Sequence, residues 1–113
     1  MIDHYSFGHL NVNGQSYAKD LIIYPDGRIE DSWWRKSGHR LCADDIRDLI
    51  ESAPDLIIAG TGSPGLMVPD EALEELLAEK GIAFTAVPSK KAMKLYNTVY
   101  TRKKVGACFH LTC

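Results

Sequence analysis

The sequence predicts a layered α/β domain with a mixed sheet, and three observations lead to that prediction. The chain has 113 residues, of which 45% are hydrophobic and 25% charged, as expected for one globular domain over residues 1–113. Short strands separated by glycine and proline turns occupy the first third. Helical patterns alternate with apolar strands in the rest, which is the pattern of a layered α/β fold.

The first third predicts an antiparallel meander. Residues 6–12 alternate loosely and end at Asn13-Gly14, a pair that favours a hairpin turn. Residues 17–24 form a second predicted strand, which ends at the turn Pro25-Asp26-Gly27. Residues 28–34 return as the third strand.

The remaining elements alternate between helices and strands. Residues 43–53 predict a helix, and the wholly apolar residues 56–59 predict a parallel strand buried on both faces. A second helix is expected over 70–80, followed by a strand over 82–87. The last elements are a helix over 90–100, which Ser89 is expected to cap, and a strand over 105–111.

Charge is distributed unevenly along the chain. Seven basic residues and no acidic residue follow Glu79, whereas the part of the chain up to Glu79 contains six basic and fifteen acidic residues. This asymmetry indicates either an anionic partner or two halves with complementary fields. No nucleic-acid motif, membrane-length apolar run or signal peptide is found. We therefore expect a cytoplasmic monomer or weak homodimer that binds neither nucleic acid nor membranes.

The apolar strand over 56–59 runs into a G-x-G-x-x-G pattern, Gly60-Thr61-Gly62-Ser63-Pro64-Gly65. The pattern does not match a dinucleotide site, because Pro64 interrupts it and the next helix begins only near Asp70. The following strand also lacks the acidic residue that would hold a ribose. The loop does not end in Gly-Lys-Ser or Gly-Lys-Thr either, so no cofactor is expected.

Two interpretations of this glycine loop remain. One is a crossover whose backbone needs unusual dihedral angles. The other is a small-anion or acidic-metabolite site at the carboxyl edge of the parallel strands. Lys90 and Lys91 favour the second interpretation. The helix dipole disfavours cations in a first helical turn, and locally unfavourable residues often mark a functional position. The candidate ligand-binding residues are Gly60, Gly62, Ser63, Ser89 and Lys90.

Trp33, Trp34 and Arg35 form a candidate interface. Adjacent strand residues face opposite sides, so one tryptophan is expected in the core and the other at the surface. An exposed tryptophan beside an arginine is typical of protein interfaces. The alternative is that the pair forms a lid over a small core.

Neither a catalytic nor a metal site is predicted. No Ser-His-Asp or Cys-His spacing stands out, and His110 is interpreted as structural. Cys108, His110 and Cys113 supply three ligands where a structural zinc site takes four. The sequence does not decide whether the protein is an enzyme, although it favours a non-enzymatic role.

Several segments together resemble a known family. They are Tyr17-x-x-Asp20, Trp33-Trp34-Arg35, Ile57-Ile58-Ala59-Gly60-Thr61-Gly62, Val68-Pro69, Ala92-x-x-x-Tyr96-Asn97 and Val105-Gly106-Ala107-Cys108-Phe109-His110-x-Thr112-Cys113. In this order, over nearly the whole chain, they look like the small α/β domain of unknown function shared by the adipogenesis-associated domain-containing protein and mitochondrial complex I assembly factor 3. Stand-alone bacterial and archaeal members also belong to it. Ser89 stands where threonine is usual in the family.

The resemblance implies a three-layer domain with a central five-stranded mixed sheet. A β-hairpin and a helix would cover one face, and helices the other. It also implies a protein-partner role in some members, and it supplies no catalytic residues. The leading hypothesis is a non-enzymatic interaction or assembly module that uses the tryptophan edge and the basic C-terminal region. The alternative is a small-anion or metabolite-binding protein, with or without catalysis.

Overall fold

A computed structural model describes all residues, 1–113. The ten strands are β1 (Ile2–Ser6), β2 (His9–Val12), β3 (Gln15–Tyr17), β4 (Leu21–Ile23), β5 (Ile29–Glu30), β6 (Arg40–Leu41), β7 (Leu56–Gly60), β8 (Val68–Pro69), β9 (Ala83–Val87) and β10 (Val105–Phe109). The helices are α1 (Arg47–Glu51), which continues a 3₁₀ turn (Ala43–Ile46), α2 (Glu71–Glu79) and α3 (Ser89–Val99).

Five strands form the central sheet in the order β5-β4-β10-β7-β9. Strands β10, β7 and β9 run parallel, whereas β4 is antiparallel to β10 and β5 is antiparallel to β4. The sheet is therefore mixed, as expected. Strands β1, β2 and β3 form a separate antiparallel sheet, and β6 pairs with β8 over two residues.

The central sheet separates two apolar cores. Leu21, Ile23 and Ile58 lie on the face that packs against α3 and the three-stranded sheet. Ile22 and Ile57 lie on the opposite face, which packs against α1 and α2. Every residue of β7 and β10 is buried, which agrees with strands covered on both faces. The predicted three-layer arrangement is confirmed.

The predicted N-terminal meander is wrong in its extent. The first strand begins at Ile2, and the three-stranded sheet that it joins is separate from the central sheet. The hairpin of β4 and β5 belongs to the central sheet instead. After Glu30 the chain leaves this sheet, and the Trp33 amide donates to the Asp20 carbonyl oxygen (2.8 Å) outside any strand.

Capping of the helices follows two different patterns. The Asp70 carboxylate accepts the Leu73 amide (2.8 Å) and caps α2, whose bounds match the prediction within one residue. Ser89 does not cap α3, because it is the first residue of the helix and Pro88 occupies the cap position. The Ser89 side chain points into the sheet edge, where it has other partners.

Candidate functional site

Ser89 joins three segments at the carboxyl edge of the parallel strands. Its hydroxyl donates to the His110 carbonyl oxygen (2.6 Å) and accepts the Gly62 amide (2.9 Å). Its own amide donates to the Gly62 carbonyl oxygen (3.0 Å). Because β7 and β9 are parallel neighbours, the glycine loop and the start of α3 meet at this edge, as predicted. The hydroxyl is fully buried and is paired with protein groups.

Close packing accounts for two glycines of the loop. A Cβ atom on Gly60 would lie 2.7 Å from Phe109 Cδ1. A Cβ atom on Gly62 would lie 2.2 Å from the Thr112 carbonyl oxygen, and Gly62 also has a φ of +100°. Both positions therefore exclude larger residues because other parts of the chain fill the space beside them.

The five candidate ligand-binding residues lie at one edge, but they differ in exposure. Gly60, Gly62 and Ser89 are buried, whereas Ser63 and Lys90 are exposed. The Ser63 amide donates to the Thr112 carbonyl oxygen (2.9 Å). Much of the hydrogen-bonding capacity of the loop therefore serves the fold, and anion binding at Ser63 and Lys90 stays a prediction.

A buried ion cluster lies beside this edge. Asp20 Oδ2 accepts from Arg35 Nη1 (2.8 Å) and contacts His110 Nδ1 (2.8 Å), while Asp20 Oδ1 accepts the Leu111 amide (2.8 Å). Arg35 also donates through Nη2 and Nε to the Gly38 carbonyl oxygen (2.8 and 3.0 Å). The side chains of Arg35 and His110 are 5% and 8% exposed. The cluster ties three distant parts of the chain together.

The hydrogen bonds define the charge state of Asp20. Burial raises the pKa of Asp20, but hydrogen bonds from His110, the Leu111 amide and Arg35 outweigh this effect. The pKa therefore lies below its usual value, and the carboxylate is charged at neutral pH. His110 Nδ1 lies 2.8 Å from Asp20 Oδ2 and 3.0 Å from Arg35 Nη2, so it contacts both members of the ion pair.

The other ring nitrogen of His110, Nε2, is buried without a hydrogen-bond partner. An aspartate that orients a histidine supplies two of the three members of a hydrolytic triad. The hydroxyl that would complete one is missing, since Ser89 Oγ donates to the His110 carbonyl oxygen and not to the ring. None of the three surface cavities reaches His110. The geometry supports a structural role for this histidine.

Trp33, Trp34 and Arg35 have different environments. Trp33 is buried, and its indole Nε1 donates to the Asp45 carbonyl oxygen (2.8 Å). Trp34 is 77% exposed. One buried and one exposed tryptophan were predicted, and Trp34 is the exposed one. Arg35 is buried in the ion cluster, so it supports the surface from behind and does not form part of it.

A groove of about 560 Å³ adjoins Trp34. The hairpin of β4 and β5 forms one wall, and the 3₁₀ turn with the start of α1 forms the other. We call it the Trp34 groove, and it is lined by Ile22, Tyr24, Glu30, Ser32, Trp33, Trp34, Lys36, Asp44, Asp45, Ile46, Arg47 and Asp48.

Sequence reasoning missed the ion cluster and most of this groove. Asp20 and His110 are 90 positions apart, so no local pattern joins them. The one available signal was the resemblance, since Asp20, Arg35 and His110 all lie in the segments that carry it. The acidic groove residues Asp44, Asp45 and Asp48 lie within the helix predicted over 43–53, and none of them was predicted as a site residue.

The structure shows neither a metal-binding group of side chains nor a helix that could span a membrane. The chain brings together no group of three or more His, Cys, Asp or Glu side chains suited to a metal ion. None of its helices has the length and apolar character needed to cross a membrane. Cys108 is buried in the core, and burial raises the pKa of its thiol to about 12.

The fold and these sites define a small three-layer α/β domain with a buried ion cluster and one exposed tryptophan. The chain belongs to the family described as "Protein of unknown function (DUF498/DUF598)", whose model matches residues 2–110. This match confirms the resemblance found in the sequence. The search of curated proteins gave no match.

Several solved structures share the fold. The conserved hypothetical protein PH1505 from Pyrococcus horikoshii OT3 is 25% identical with a TM-score of 0.86, covering 100% of this chain and 99% of that one. A protein described as MT938 is 27% identical with a TM-score of 0.82, covering 100% and 98%. A protein described as an outer membrane protein from Bartonella henselae is 24% identical with a TM-score of 0.83, covering 99% and 94%. The last likeness shows the fold alone.

Proposed function

We propose that this domain is a non-enzymatic protein-interaction module that docks a partner protein onto Trp34 and the adjoining groove. The observation that carries the proposal is the 77% exposure of Trp34 beside a cavity of about 560 Å³. Tryptophan is enriched among residues that dominate binding energy, especially where it fills or borders a pocket. A large exposed apolar side chain at a groove is therefore best used as an anchor for a partner.

The neighbours of Trp34 support this role because they fix its backbone. Trp33 is held by its hydrogen bond to Asp45, and Arg35 is held by Asp20 and the Gly38 carbonyl oxygen. The exposed side chain thus retains only two rotatable bonds, which keeps the entropy cost of binding low. A preorganised aromatic anchor is a typical feature of a docking surface.

Photo-crosslinking followed by titration tests this proposal. A photoreactive phenylalanine at position 34 should crosslink to a partner in cells, and the same group at exposed Leu66, outside the Trp34 groove, should not. The purified partner should then bind Trp34→Ala about 30-fold or more weakly than the parent chain, since truncating an anchor tryptophan costs about 2 kcal/mol or more. Leu66→Ala should bind like the parent.

Two outcomes would refute the interaction proposal. One is a purified partner that binds Trp34→Ala as tightly as the parent. The other is equal crosslinking from positions 34 and 66. A cytoplasmic location and a monomer or weak homodimer remain parts of the proposal, and sedimentation at two salt concentrations tests the oligomeric state.

A second proposal is a small-anion site at Ser63 and Lys90. Its support is that neither Lys90 nor Lys91 forms an ion pair with any carboxylate of the chain, and both lie in the first turn of α3. A phosphate there would interact favourably with the positive end of the helix. Thermal unfolding in phosphate, sulfate and chloride tests it: stabilisation by phosphate that Lys90→Ala removes would support the site. Equal curves in all three salts would refute it.

A further inference from the structure

The Trp34 groove carries an excess of negative charge. Four carboxylates line it, from Glu30, Asp44, Asp45 and Asp48, against two cations. Both cations, Lys36 and Arg47, pair with Asp44. The chain's own cations therefore neutralise only one part of the groove.

The remaining carboxylates differ in how they are satisfied. Asp45 accepts the backbone amides of Cys42 (2.9 Å) and Lys36 (3.2 Å), so it serves the local fold. Glu30 accepts the Tyr24 hydroxyl (2.7 Å), a neutral donor. Asp48 makes no side-chain hydrogen bond and no ion pair within the chain. Two charges, on Glu30 and Asp48, thus lie in the groove without a cationic partner.

The field of these two charges reaches the tyrosine on the groove wall. The pKa of Tyr24 is raised to about 12, first by burial and then by the hydrogen bond and charge of Glu30 and by the charge of Asp48. Arg28, stacked 4.0 Å from the centre of the Tyr24 ring, opposes this effect without cancelling it. The charges of Glu30 and Asp48 therefore contribute to the raised pKa of Tyr24, whose largest cause is burial.

The charges decide which kind of segment the groove accepts. A purely apolar segment would remove Glu30 and Asp48 from water without compensation, which is costly. An acidic segment would add repulsion. A cationic side chain avoids both costs, and a guanidinium or ammonium group also stacks favourably on an exposed indole.

We propose that the Trp34 groove binds an arginine or lysine side chain of the partner protein, placed between the Trp34 indole and the carboxylates of Glu30 and Asp48. The inference rests on the proposed interaction function, because it names the chemistry that the same surface recognises. Charge selectivity is the feature that distinguishes this inference from the interaction proposal alone. Trp34 supplies contact area, and the carboxylates select a basic residue over an acidic or neutral one.

Peptide titration followed by NMR tests this inference directly. The probes are acetyl-Leu-Arg-Leu-Arg-amide and the matched acetyl-Leu-Glu-Leu-Glu-amide, added to the full chain at low millimolar concentration and low ionic strength. The chain has two tryptophans, so the indole N–H signal of exposed Trp34 reports on the groove and that of buried Trp33 reports on the fold. The arginine peptide should shift the Trp34 signal saturably, whereas the glutamate peptide should leave it unchanged.

Charge-neutral variants then identify the carboxylates. Glu30→Gln and Asp48→Asn should each weaken binding of the arginine peptide by about two- to fivefold, as expected for a partly exposed ion pair. Glu74→Gln is the matched control, since it removes an equal charge from α2 outside the groove and should change nothing. The indole signal of buried Trp33 checks that each variant keeps its fold.

Different outcomes distinguish this inference from the proposed interaction function on which it rests. A partner that needs Trp34 but binds Glu30→Gln and Asp48→Asn as tightly as the parent overturns the cation inference and keeps the interaction module. No saturable Trp34 shift with the arginine peptide also overturns the inference. Salt-sensitive dimerisation that Trp34→Ala and Asp48→Asn abolish would assign the groove to the basic segment of a second copy, and would overturn it too.

Discussion

Replacing Asp20 by asparagine is expected to remove the charge at the centre of the buried ion cluster while keeping the size of the side chain. In the parent chain the Leu111 amide donates to Asp20 Oδ1 (2.8 Å), and the asparagine oxygen can accept the same hydrogen bond. What is lost is the negative charge that faces Arg35 and His110 at 2.8 Å each. The variant therefore isolates the electrostatic contribution of the carboxylate.

The size of the effect follows from the burial of the partner. The Arg35 side chain is 5% exposed, so without Asp20 its charge is left buried and uncompensated. Removing one partner of a buried pair costs about 3–5 kcal/mol. Because Asp20 itself retains 18% exposure and water can partly replace it, we expect about 3 kcal/mol, the lower end of that range. That is a large part of the about 5–15 kcal/mol that stabilises a typical domain.

Urea denaturation monitored by circular dichroism measures this loss. The free energy of unfolding is compared for the parent chain, Asp20→Asn and the control Asp44→Asn. Asp44 also pairs with two cations, but its side chain is 49% exposed, so its replacement should change the stability little. The matched chemistry of the two substitutions leaves burial as the main difference.

The dependence on pH gives a second signature of the same carboxylate. The pKa of Asp20 is lower in the folded than in the unfolded chain, so its stabilisation is present above the unfolded value. It is lost as the pH falls through the folded pKa, below the ordinary value of 3.8. The stability gap between parent and Asp20→Asn should thus be present at pH 7 and shrink as the pH falls below 3.8. A gap under about 1 kcal/mol at pH 7, or one that does not change with acid, would refute the reasoning.

Three further predictions follow from single contacts. Gly62→Ala should lower the free energy of unfolding more than Gly14→Ala does, because both have positive φ but only Gly62 faces a close contact; thermal unfolding should show an additional cost of about 1–3 kcal/mol, and equal costs would contradict the packing argument. Ser89→Ala should cost about 1–3 kcal/mol in urea denaturation by leaving a buried amide and carbonyl unpaired, and a neutral result would contradict that role. Cys108 should resist alkylation in the native chain and react only on unfolding, as read by mass spectrometry, since burial raises the pKa of its thiol to about 12.

The elements predicted well from the sequence are those whose signals are local. The apolar run over 56–59 corresponds to a strand buried on both faces. The helix over 70–80 is bounded by Asp70, which caps it, and by Gly81, whose φ is +73°. These residues act within one turn of the element that they define, so reading the chain locally is sufficient.

The elements that were missed depend on contacts far along the chain. Strand β1 contains only two buried residues, Ile2 and Tyr5. Its edge is held by Asn97 of α3, which accepts from the Ile2 amide (2.8 Å) and donates to the Ile2 carbonyl oxygen (2.7 Å). A pairing across 95 positions leaves no periodic signal in either segment. The ion cluster was missed for the same physical reason.

The stretch from Trp33 to Arg35 links the core to the proposed docking surface. A loop residue with 77% exposure would ordinarily be mobile, yet both neighbours of Trp34 are buried and hydrogen bonded. Because Arg35 is held by Asp20, the charge that stabilises the fold also fixes the position of the exposed indole. The position of Trp34 therefore depends on the buried ion pair of Asp20 and Arg35. Loss of the Asp20 charge should increase the mobility of Trp34 even in molecules that remain folded. In the proposed interaction module, the ion cluster would therefore act on Trp34 through backbone position and not through contact with a partner.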